Sequence, residues 1–297
     1  MIINHNIAAL NTLNHLNAAN NAQSKAMQKL SSGLRINGAA DDAAGLAISE
    51  KMRSQIRGLN QAIRNAQDAS SLAQTAEGAL NETTDILQRM RELATQASND
   101  TNTSDDREQI QKEMNQLTSE INRIGNTTEF NKQKLLDGSK SANKTQPAQA
   151  ETPGQTPGQT PGQTPGQTPG QTPGQGFKFQ IGANENQSIT LEINDMRSVA
   201  LGISSTTSGT GFTASKTVTN GTNNTPEEYA LDVSSADNAS NAITKIDEAI
   251  KKVSTERANL GAFENRLEHT VNNLTTSSEN LTSAESRIRD VDYALAA

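Results

Sequence analysis

The sequence predicts a mainly α-helical protein: an elongated antiparallel helical bundle, or coiled-coil rod, formed by both chain halves, with one small β-hairpin and a disordered Pro/Gly repeat insert. The first observation behind this prediction is that 32% of the 297 residues are hydrophobic and only 2% are aromatic. Because large rings supply most buried area per residue, burial must come from aliphatic side chains in narrow seams. The second observation is that these aliphatic residues recur every three or four positions over long stretches, which is typical of packed α-helices.

Charge and composition also argue against several classes of function. The formal net charge is -7 and the chain has no Cys, which disfavours binding to nucleic acid or anionic membranes and rules out disulfides and thiol chemistry. No run approaches the roughly 18 apolar residues of a membrane-spanning helix, and the opening residues lack the pattern of a secretory signal. We therefore expect no nucleic-acid partner and no membrane insertion.

The residues before the repeats predict helices. Residues 1–45 are assigned to an N-terminal axial helix segment, whose apolar stripe begins at Ile3, Ile7 and Leu10. Residues 46–138 form the first half of the rod, with helices predicted over 46–97 and 104–124. Their apolar residues, spaced about 3.5 apart on average, define the predicted seam: Ile56, Leu59, Ile63, Leu87, Met90, Ile110, Met114, Leu117 and Ile121.

Residues 139–176 form the insert, in which the unit Thr-Pro-Gly-Gln is repeated six times between Thr152 and Gln175. None of these side chains can bury much apolar surface, so we expect a disordered linker.

Residues 177–292 are predicted to supply the second half of the rod. Alternating apolar residues predict a β-hairpin over 177–193, and a polar stretch predicts a surface loop over 203–228. A long helix over 235–290 is predicted by an apolar residue at every seventh position: Ile246, Val253, Leu260, Leu267, Leu274 and Leu281. A companion seam four residues after each of these is mixed, with Ile250 apolar and Arg257 and Glu264 polar. Such a helix needs partners for its apolar face, so the two chain ends must meet. Residues 293–297 are an atypical tail.

The sequence offers no apparatus for catalysis or metal binding. The three His residues, His5, His15 and His269, lack the spacing of metal ligands. Carboxylate pairs such as Asp41-Asp42 are typical of solvated surfaces or helix caps. We expect no enzyme activity, no cofactor and no metal site.

Several segments together carry a family resemblance. They include LSSGLRIN at 30–37, DDAAGLAI at 41–48, LQRMRELA at 87–94, RANLGA at 257–262 and ESRIRDVD at 285–292. Through them the chain closely resembles bacterial flagellin over residues 1–137 and again from Phe179 to Asp292. The resemblance implies a secreted structural subunit that polymerises with its own copies into the extracellular flagellar filament for swimming motility, after passage through the flagellar export apparatus.

The resemblance also implies a partner outside the bacterium. Animal hosts detect many flagellins through a Toll-like receptor, and the matching positions here are Arg89, Leu93 and Glu113. Each has an ordinary alternative role, Leu93 beside the seam and the other two in surface ion pairs.

The sequence departs from the family pattern after its Arg-Asp-Val-Asp motif. Flagellins continue with a C-terminal helix that pairs with the N-terminal one, whereas this sequence stops at Ala297. We therefore expect the N-terminal stripe to lack its usual intramolecular partner. Two alternatives stay open: a hook–filament junction protein of the same superfamily, and a truncated or engineered flagellin that stays monomeric.

Overall fold

The computed structural model of the chain describes residues 6–141 and 176–296, the last two of these for their backbone alone. Residues 142–175 of the predicted repeat insert and the first residues of the predicted N-terminal stripe lie outside the described residues. The described residues fall into two compact units. Unit 1 consists of the described residues within Met1–Ala66, Gln180–Gln187 and His269–Ala297, and unit 2 of those within Gln67–Phe179 and Ser188–Glu268.

Helices make up most of the described chain, which confirms the mainly α-helical class. The helices predicted over 46–97, 104–124 and 235–290 are all present, with ends that differ by at most a few residues. In chain order the helices are α1 (Ile7–Ser32), α2 (Ala43–Ala97), α3 (Ser104–Thr127), α4 (Ser198–Leu201), α5 (Ala236–Arg289) and α6 (Tyr293–Ala296).

The start of α3 follows from local side-chain chemistry. The Thr103 hydroxyl accepts a hydrogen bond from the backbone N–H of Asp106 at 3.3 Å, and the Asp106 carboxylate accepts one from the backbone N–H of Thr103 at 3.0 Å. This reciprocal cap satisfies two amide groups near the helix start. Asp105 and Asp106 also place negative charge near the positive end of the helix dipole.

In unit 1 the backbone that follows α1 meets the backbone that follows α5. Gly33 ends α1 with a φ of +71°, a conformation that glycine adopts without strain. The Arg35 N–H then donates to the carbonyl of Arg289 at 2.7 Å, and the Val291 N–H donates to the carbonyl of Gly33 at 3.0 Å. The expectation that the two chain ends meet is confirmed for these residues.

The first part of α2 and the last part of α5 run antiparallel in unit 1. Arg53 pairs with Glu285 at 3.3 Å, and further along α2 the Ser278 hydroxyl donates to the Asn60 side-chain carbonyl at 3.1 Å. The partner's residue number falls as the number along α2 rises, as an antiparallel helix pair requires.

Unit 2 contains the remaining parts of α2 and α5 together with α3. Arg91 of α2 pairs with Asp247 of α5 at 2.7 Å, and Arg107 of α3 donates to the carbonyl of Ala97 at the end of α2 at 3.0 Å. The core between these helices consists of aliphatic and small side chains, as the composition predicts. Its fully buried members include Leu80, Leu87, Met90, Met114, Ile121, Ile246 and Val253.

The β-structure exceeds the single predicted hairpin. That hairpin is present as β3 (Phe177–Gln180) and β4 (Ser188–Leu191). A second sheet pairs β1 (Glu129–Phe130) with β2 (Gln133–Lys134), and its two turn residues Asn131 and Lys132 have the positive φ values of a tight hairpin turn.

The surface loop predicted over 203–228 is wrong in part, because three strands form a sheet within and just beyond it. They are β5 (Ser204–Ser205), β6 (Val218–Thr219) and β7 (Pro226–Ala230), in the order β5-β7-β6. Two of these strands have only two residues, too few for an alternation of apolar and polar residues to appear in the sequence. Tertiary contacts hold them instead, with Val218 fully buried.

Candidate assembly surface

The exposed apolar surface of α1 is the candidate functional site. This helix has 26 residues and none of them is buried. Its large apolar side chains are more than half exposed: Ile7, Leu10, Leu13, Leu16 and Met27. Soluble monomers seldom expose apolar side chains in such a contiguous set, and a patch of this kind is typical of an interaction surface.

The spacing of these residues makes the surface broad. Ile7, Leu10, Leu13 and Leu16 are each three residues apart, and three residues of an α-helix turn through about 300°. Each side chain is therefore displaced by about 60° from the one before it, and the four together cover about half of the helix circumference. A single straight seam would need a mean spacing near 3.5 residues. The geometry instead suits contact with more than one neighbouring helix.

The C-terminal end of α1 is held within unit 1. The Asn37 side-chain amide donates to the Ser32 hydroxyl at 2.8 Å and to the Gln28 carbonyl at 3.2 Å, and the Tyr293 hydroxyl of α6 donates to the Leu30 carbonyl at 3.4 Å. These contacts fix the last turns of α1.

The three candidate receptor residues lie close together but differ in exposure. The Arg89 guanidinium on α2 donates to the Glu113 carboxylate on α3 at 3.0 and 3.1 Å, and both side chains are about half exposed. Hydrogen bonds to Glu113 and then to Glu92 raise the pKa of Arg89. Leu93 is only 2% exposed and packs in the core of unit 2. Arg89 and Glu113 thus form the ion pair, and Leu93 packs beside the seam, which are the ordinary roles considered for these three residues.

The predicted seam residues divide by burial. Those that are buried are Leu87, Met90, Ile110, Met114, Ile121, Ile246, Val253, Leu260, Leu267 and Leu274. Those that are half-buried are Ile56, Leu59, Ile63, Leu117 and Leu281. Three of the half-buried residues, Ile56, Leu59 and Ile63, lie in the part of α2 that belongs to unit 1, whereas α3 belongs to unit 2.

In the part of α5 that belongs to unit 2, the companion seam lies on a different row from the predicted one, whereas in unit 1 Ser278, four residues after Leu274, is buried on the predicted row. Ala249, Glu256 and Phe263, three residues after Ile246, Val253 and Leu260, are buried, whereas Ile250, four residues after Ile246, is only half-buried. The choice between the two rows depends on the side from which the partner helices approach, and both spacings fit an α-helix. The sequence pattern therefore could not separate them.

Glu256 is a buried charged residue that the sequence prediction missed. Its carboxylate, 3% exposed, accepts hydrogen bonds from the backbone N–H of Asn194 at 3.1 Å and from the Asn194 side chain at 2.9 Å. The Asn194 side-chain carbonyl in turn accepts from the Ser141 hydroxyl at 3.1 Å. The backbone segment after the β-hairpin is fixed to α5 by this chain of hydrogen bonds. The sequence contains one signal of this burial, because Glu256 follows the seam residue Val253 by three positions and so has the spacing of an apolar seam residue.

Polar residues also interrupt the contact between α2 and α5. The Arg257 guanidinium lies 3.7 Å from the Glu77 carboxylate. Seven residues further along α5, the next position of the predicted companion seam is Glu264. Burial, reinforced by the negative charge of Glu77, raises the pKa of Glu264. One carboxylate oxygen of Glu264 is buried without a hydrogen-bond partner, so its ionised form is poorly solvated in the fold.

Within residues 6–141 and 176–296, no three His, Asp or Glu side chains are grouped as a metal would require. No helix of the described chain is long and apolar enough to cross a membrane.

Comparisons with known proteins agree with the helical arrangement. The family model for the bacterial flagellin N-terminal helical region matches residues 3–141, and the model for the C-terminal helical region matches residues 243–297. A flagellin of Clostridium tyrobutyricum is 48% identical over 350 residues, covering 99% of this chain and 93% of its own length. A flagellin of Bacillus subtilis (strain 168) is 51% identical over 306 residues, covering 99% and 88%. The flagellar filament 33 kDa core protein of Treponema phagedenis is 42% identical over 294 residues, also covering 99% and 88%. The chain belongs to the bacterial flagellins, a family of structural proteins.

Proposed function

We propose that this flagellin polymerises into the helical filament of the bacterial flagellum for swimming motility, and that neighbouring copies cover the apolar surface of α1. The relatives matched over nearly the whole chain are named flagellin or filament core protein, which favours a filament subunit over a hook–filament junction protein. The observation that carries the proposal is the exposed set Ile7, Leu10, Leu13 and Leu16.

The free energy available to such a contact is considerable. Burying one Leu or Ile side chain fully contributes about 1.5–3 kcal/mol, so four of them on each copy offset much of the cost of fixing a subunit in place. Contacts between unlike surfaces that do not close into a ring generate an open helical polymer. A broad apolar surface on a terminal helix is suited to that geometry.

A pair of charge substitutions on α1 tests this proposal. Leu13 and His15 are both exposed and, two residues apart on a helix, project about 160° apart. We expect Leu13→Asp to abolish filament growth on seeds, seen by electron microscopy and sedimentation, whereas His15→Asp, which introduces the same side chain outside the apolar stripe, still polymerises.

Two results contradict the proposal. Filaments formed by Leu13→Asp as readily as by the parent would remove α1 from the contact. A parent protein that stays monomeric with seeds and salting-out would favour the monomeric alternative.

We also propose that the chain reaches the cell exterior through the flagellar export apparatus. Support comes from family membership, since flagellins are the exported subunits of an extracellular filament. In a flagellated host whose export gate is inactivated, the chain should accumulate inside the cell and be missing from the medium. Undiminished release to the medium in that host would show another route.

A host Toll-like flagellin receptor is the third proposed partner, contacted through Arg89 and Glu113. The support is their exposure on neighbouring helices. Receptor signalling should fall for Arg89→Ala combined with Glu113→Ala but not for the matched control Arg123→Ala with Glu120→Ala, which removes another exposed ion pair of α3. Equal potency of the two double variants would reject the contact. Leu93 needs a fold control, because its replacement acts first on the core of unit 2.

A further inference from the structure

We propose that Asn220-Gly221 is a site of spontaneous deamidation, at which the chain converts its own Asn220 to isoaspartate or aspartate and loosens the β6–β7 sheet from α3. The sequence contains two Asn-Gly dipeptides, at Asn37 and at Asn220. A glycine in the following position leaves its amide nitrogen unhindered by a side chain, so that it can attack the Asn side-chain amide. The two sites differ sharply in their surroundings.

The chemical step consumes only water. The Gly221 nitrogen bonds to the side-chain carbonyl carbon of Asn220 and gives up its proton, the bond from that carbon to the side-chain nitrogen breaks, and that nitrogen takes up a proton and leaves as ammonia. The product is a five-membered succinimide ring. Water then opens either carbonyl of the ring, which gives aspartate or, with the main chain rerouted through the side chain, isoaspartate.

The surroundings of Asn220 favour this attack. Its side-chain oxygen accepts three hydrogen bonds, from the Thr222 N–H at 3.0 Å, from the Thr222 hydroxyl at 2.9 Å and from the Asn223 N–H at 3.2 Å. Donors placed on a carbonyl oxygen stabilise the negative charge that develops there when a nucleophile adds. The leaving nitrogen donates to the Glu227 carboxylate at 3.2 Å. Asn220 is half-buried, and Thr222 and Asn223 are exposed, so water reaches the turn.

The surroundings of Asn37 oppose it. There the attacking group is engaged, because the Gly38 N–H donates to the Asp41 carboxylate at 3.3 Å. The side-chain nitrogen is hydrogen-bonded at both sites, at Asn37 to the Ser32 hydroxyl at 2.8 Å and to the Gln28 carbonyl at 3.2 Å, so it is the engaged attacking group that distinguishes Asn37. This site is therefore an internal control for the reactive one.

Deamidation at residue 220 would disturb the packing of β6 against α3. Four α3 residues on one helix face hold this segment. The Thr219 N–H donates to the Ser119 hydroxyl at 3.2 Å, the Asn122 side chain donates to the Thr219 carbonyl at 3.0 Å, and the Asn126 side chain donates to the Asn220 carbonyl at 2.6 Å. Gly221, at a φ of +75°, lies so close to the backbone of Arg123 that even a Cβ would clash.

Isoaspartate adds one methylene to the main chain between these fixed points, so the two ends of the segment can no longer keep both sets of contacts. In the aspartate product, the new side-chain carboxylate replaces the amide that donates to Glu227. An attractive contact thus becomes a repulsion between two negative charges.

Peptide mapping by mass spectrometry tests the reaction. The full chain is incubated at mildly alkaline pH and digested with trypsin, which separates Asn37 and Asn220 into the peptides 36–51 and 217–245. We expect deamidation at Asn220 to be on the order of tenfold faster than at Asn37, a ratio that corresponds to about 1.4 kcal/mol. Asn220→Gln should remove the fast reaction, and Asn37→Gln should leave it.

Thr222→Ala tests the polarised carbonyl. This exposed substitution removes one of the three donors and keeps the backbone N–H, so deamidation at Asn220 should slow by about two- to tenfold, the range for one net hydrogen bond. After incubation, hydrogen exchange over 217–228 should be faster in the parent and unchanged in Asn220→Gln. Equal rates at Asn37 and Asn220, or reaction at Asn220 only in the denatured chain, would overturn the proposal. An unaltered rate in Thr222→Ala would overturn the role of the three donors.

Discussion

Replacement of Leu260 by Ala tests the helical seam of unit 2 most directly. Leu260 lies on α5 in the seven-residue series, between Val253 and Leu267, and is 1% exposed. Leu-to-Ala changes in protein cores cost about 2–5 kcal/mol, and the cost rises with the volume of the cavity that remains. Ala is a better helix former than Leu, so α5 itself is not weakened and the loss measures packing alone.

We expect a loss of about 3 kcal/mol, in the middle of that range, because a seam of aliphatic side chains between helices collapses only partly around a missing side chain. The free energy of unfolding is measured by urea titration followed by circular dichroism. The matched control is Leu117→Ala, which removes the same atoms from half-buried Leu117 on α3 of the same unit and should cost about half as much. A loss below about 1 kcal/mol at Leu260, or an equal loss at the two positions, would refute the proposed packing of α5.

The remaining predictions concern two carboxylates of α5, those of the half-buried Glu264 and the buried Glu256. The pKa of Glu264 is raised by burial and then by the charge of Glu77, so the folded state holds this proton more tightly than the unfolded state. The contribution of the protonated group to the free energy of unfolding is complete below the unfolded pKa of about 4.3. It is lost as the pH rises through the higher pKa of the folded state. Glu264→Gln should therefore raise the urea midpoint at neutral pH and flatten the pH dependence of that midpoint. The exposed control Glu268→Gln should do neither. Equal urea midpoints for the two variants would contradict the effect of burial on Glu264. Glu256→Ala should lower the free energy of unfolding by about 1–3 kcal/mol, because it leaves the donors of Asn194 without an acceptor. Glu256→Gln keeps one acceptor and should lose less, and the same urea titration compares the two.

The long helices could be predicted because their signals repeat. An apolar residue at every seventh position over Ile246 to Leu281 indicates α5 several times over, so a local error in the pattern does not alter the result. The start of α3 was equally predictable, since Thr103 and Asp106 form a cap from residues next to it in the chain.

The sheet within residues 204–230 could not be predicted in the same way. Its strands are held by contacts with distant residues, such as the hydrogen bond from the Asn122 side chain to the Glu228 carboxylate at 3.0 Å. Ser198 and Ser204 donate to the same carboxylate at 2.7 and 2.6 Å. A sequence rich in Ser, Thr and Asn predicts a loop unless the partner of each side chain is known.

The candidate assembly surface was predictable in part. The sequence identifies the apolar residues of α1, and the family resemblance identifies the candidate receptor residues Arg89, Leu93 and Glu113. The exposure of each side chain, however, depends on what packs against its helix. The structure leaves Leu13 exposed and buries Leu93, although both are leucines in apolar stripes of helices.

The sequence by itself determined which segments are helical and which of their residues are apolar, because helical periodicity and capping are local properties of the chain. Only the tertiary structure decided which side of each helix is covered, which polar side chains are buried with partners, and which apolar surface is left for another copy. Those outcomes depend on the positions of groups far apart in sequence, and a residue's burial is a property of its neighbours in space.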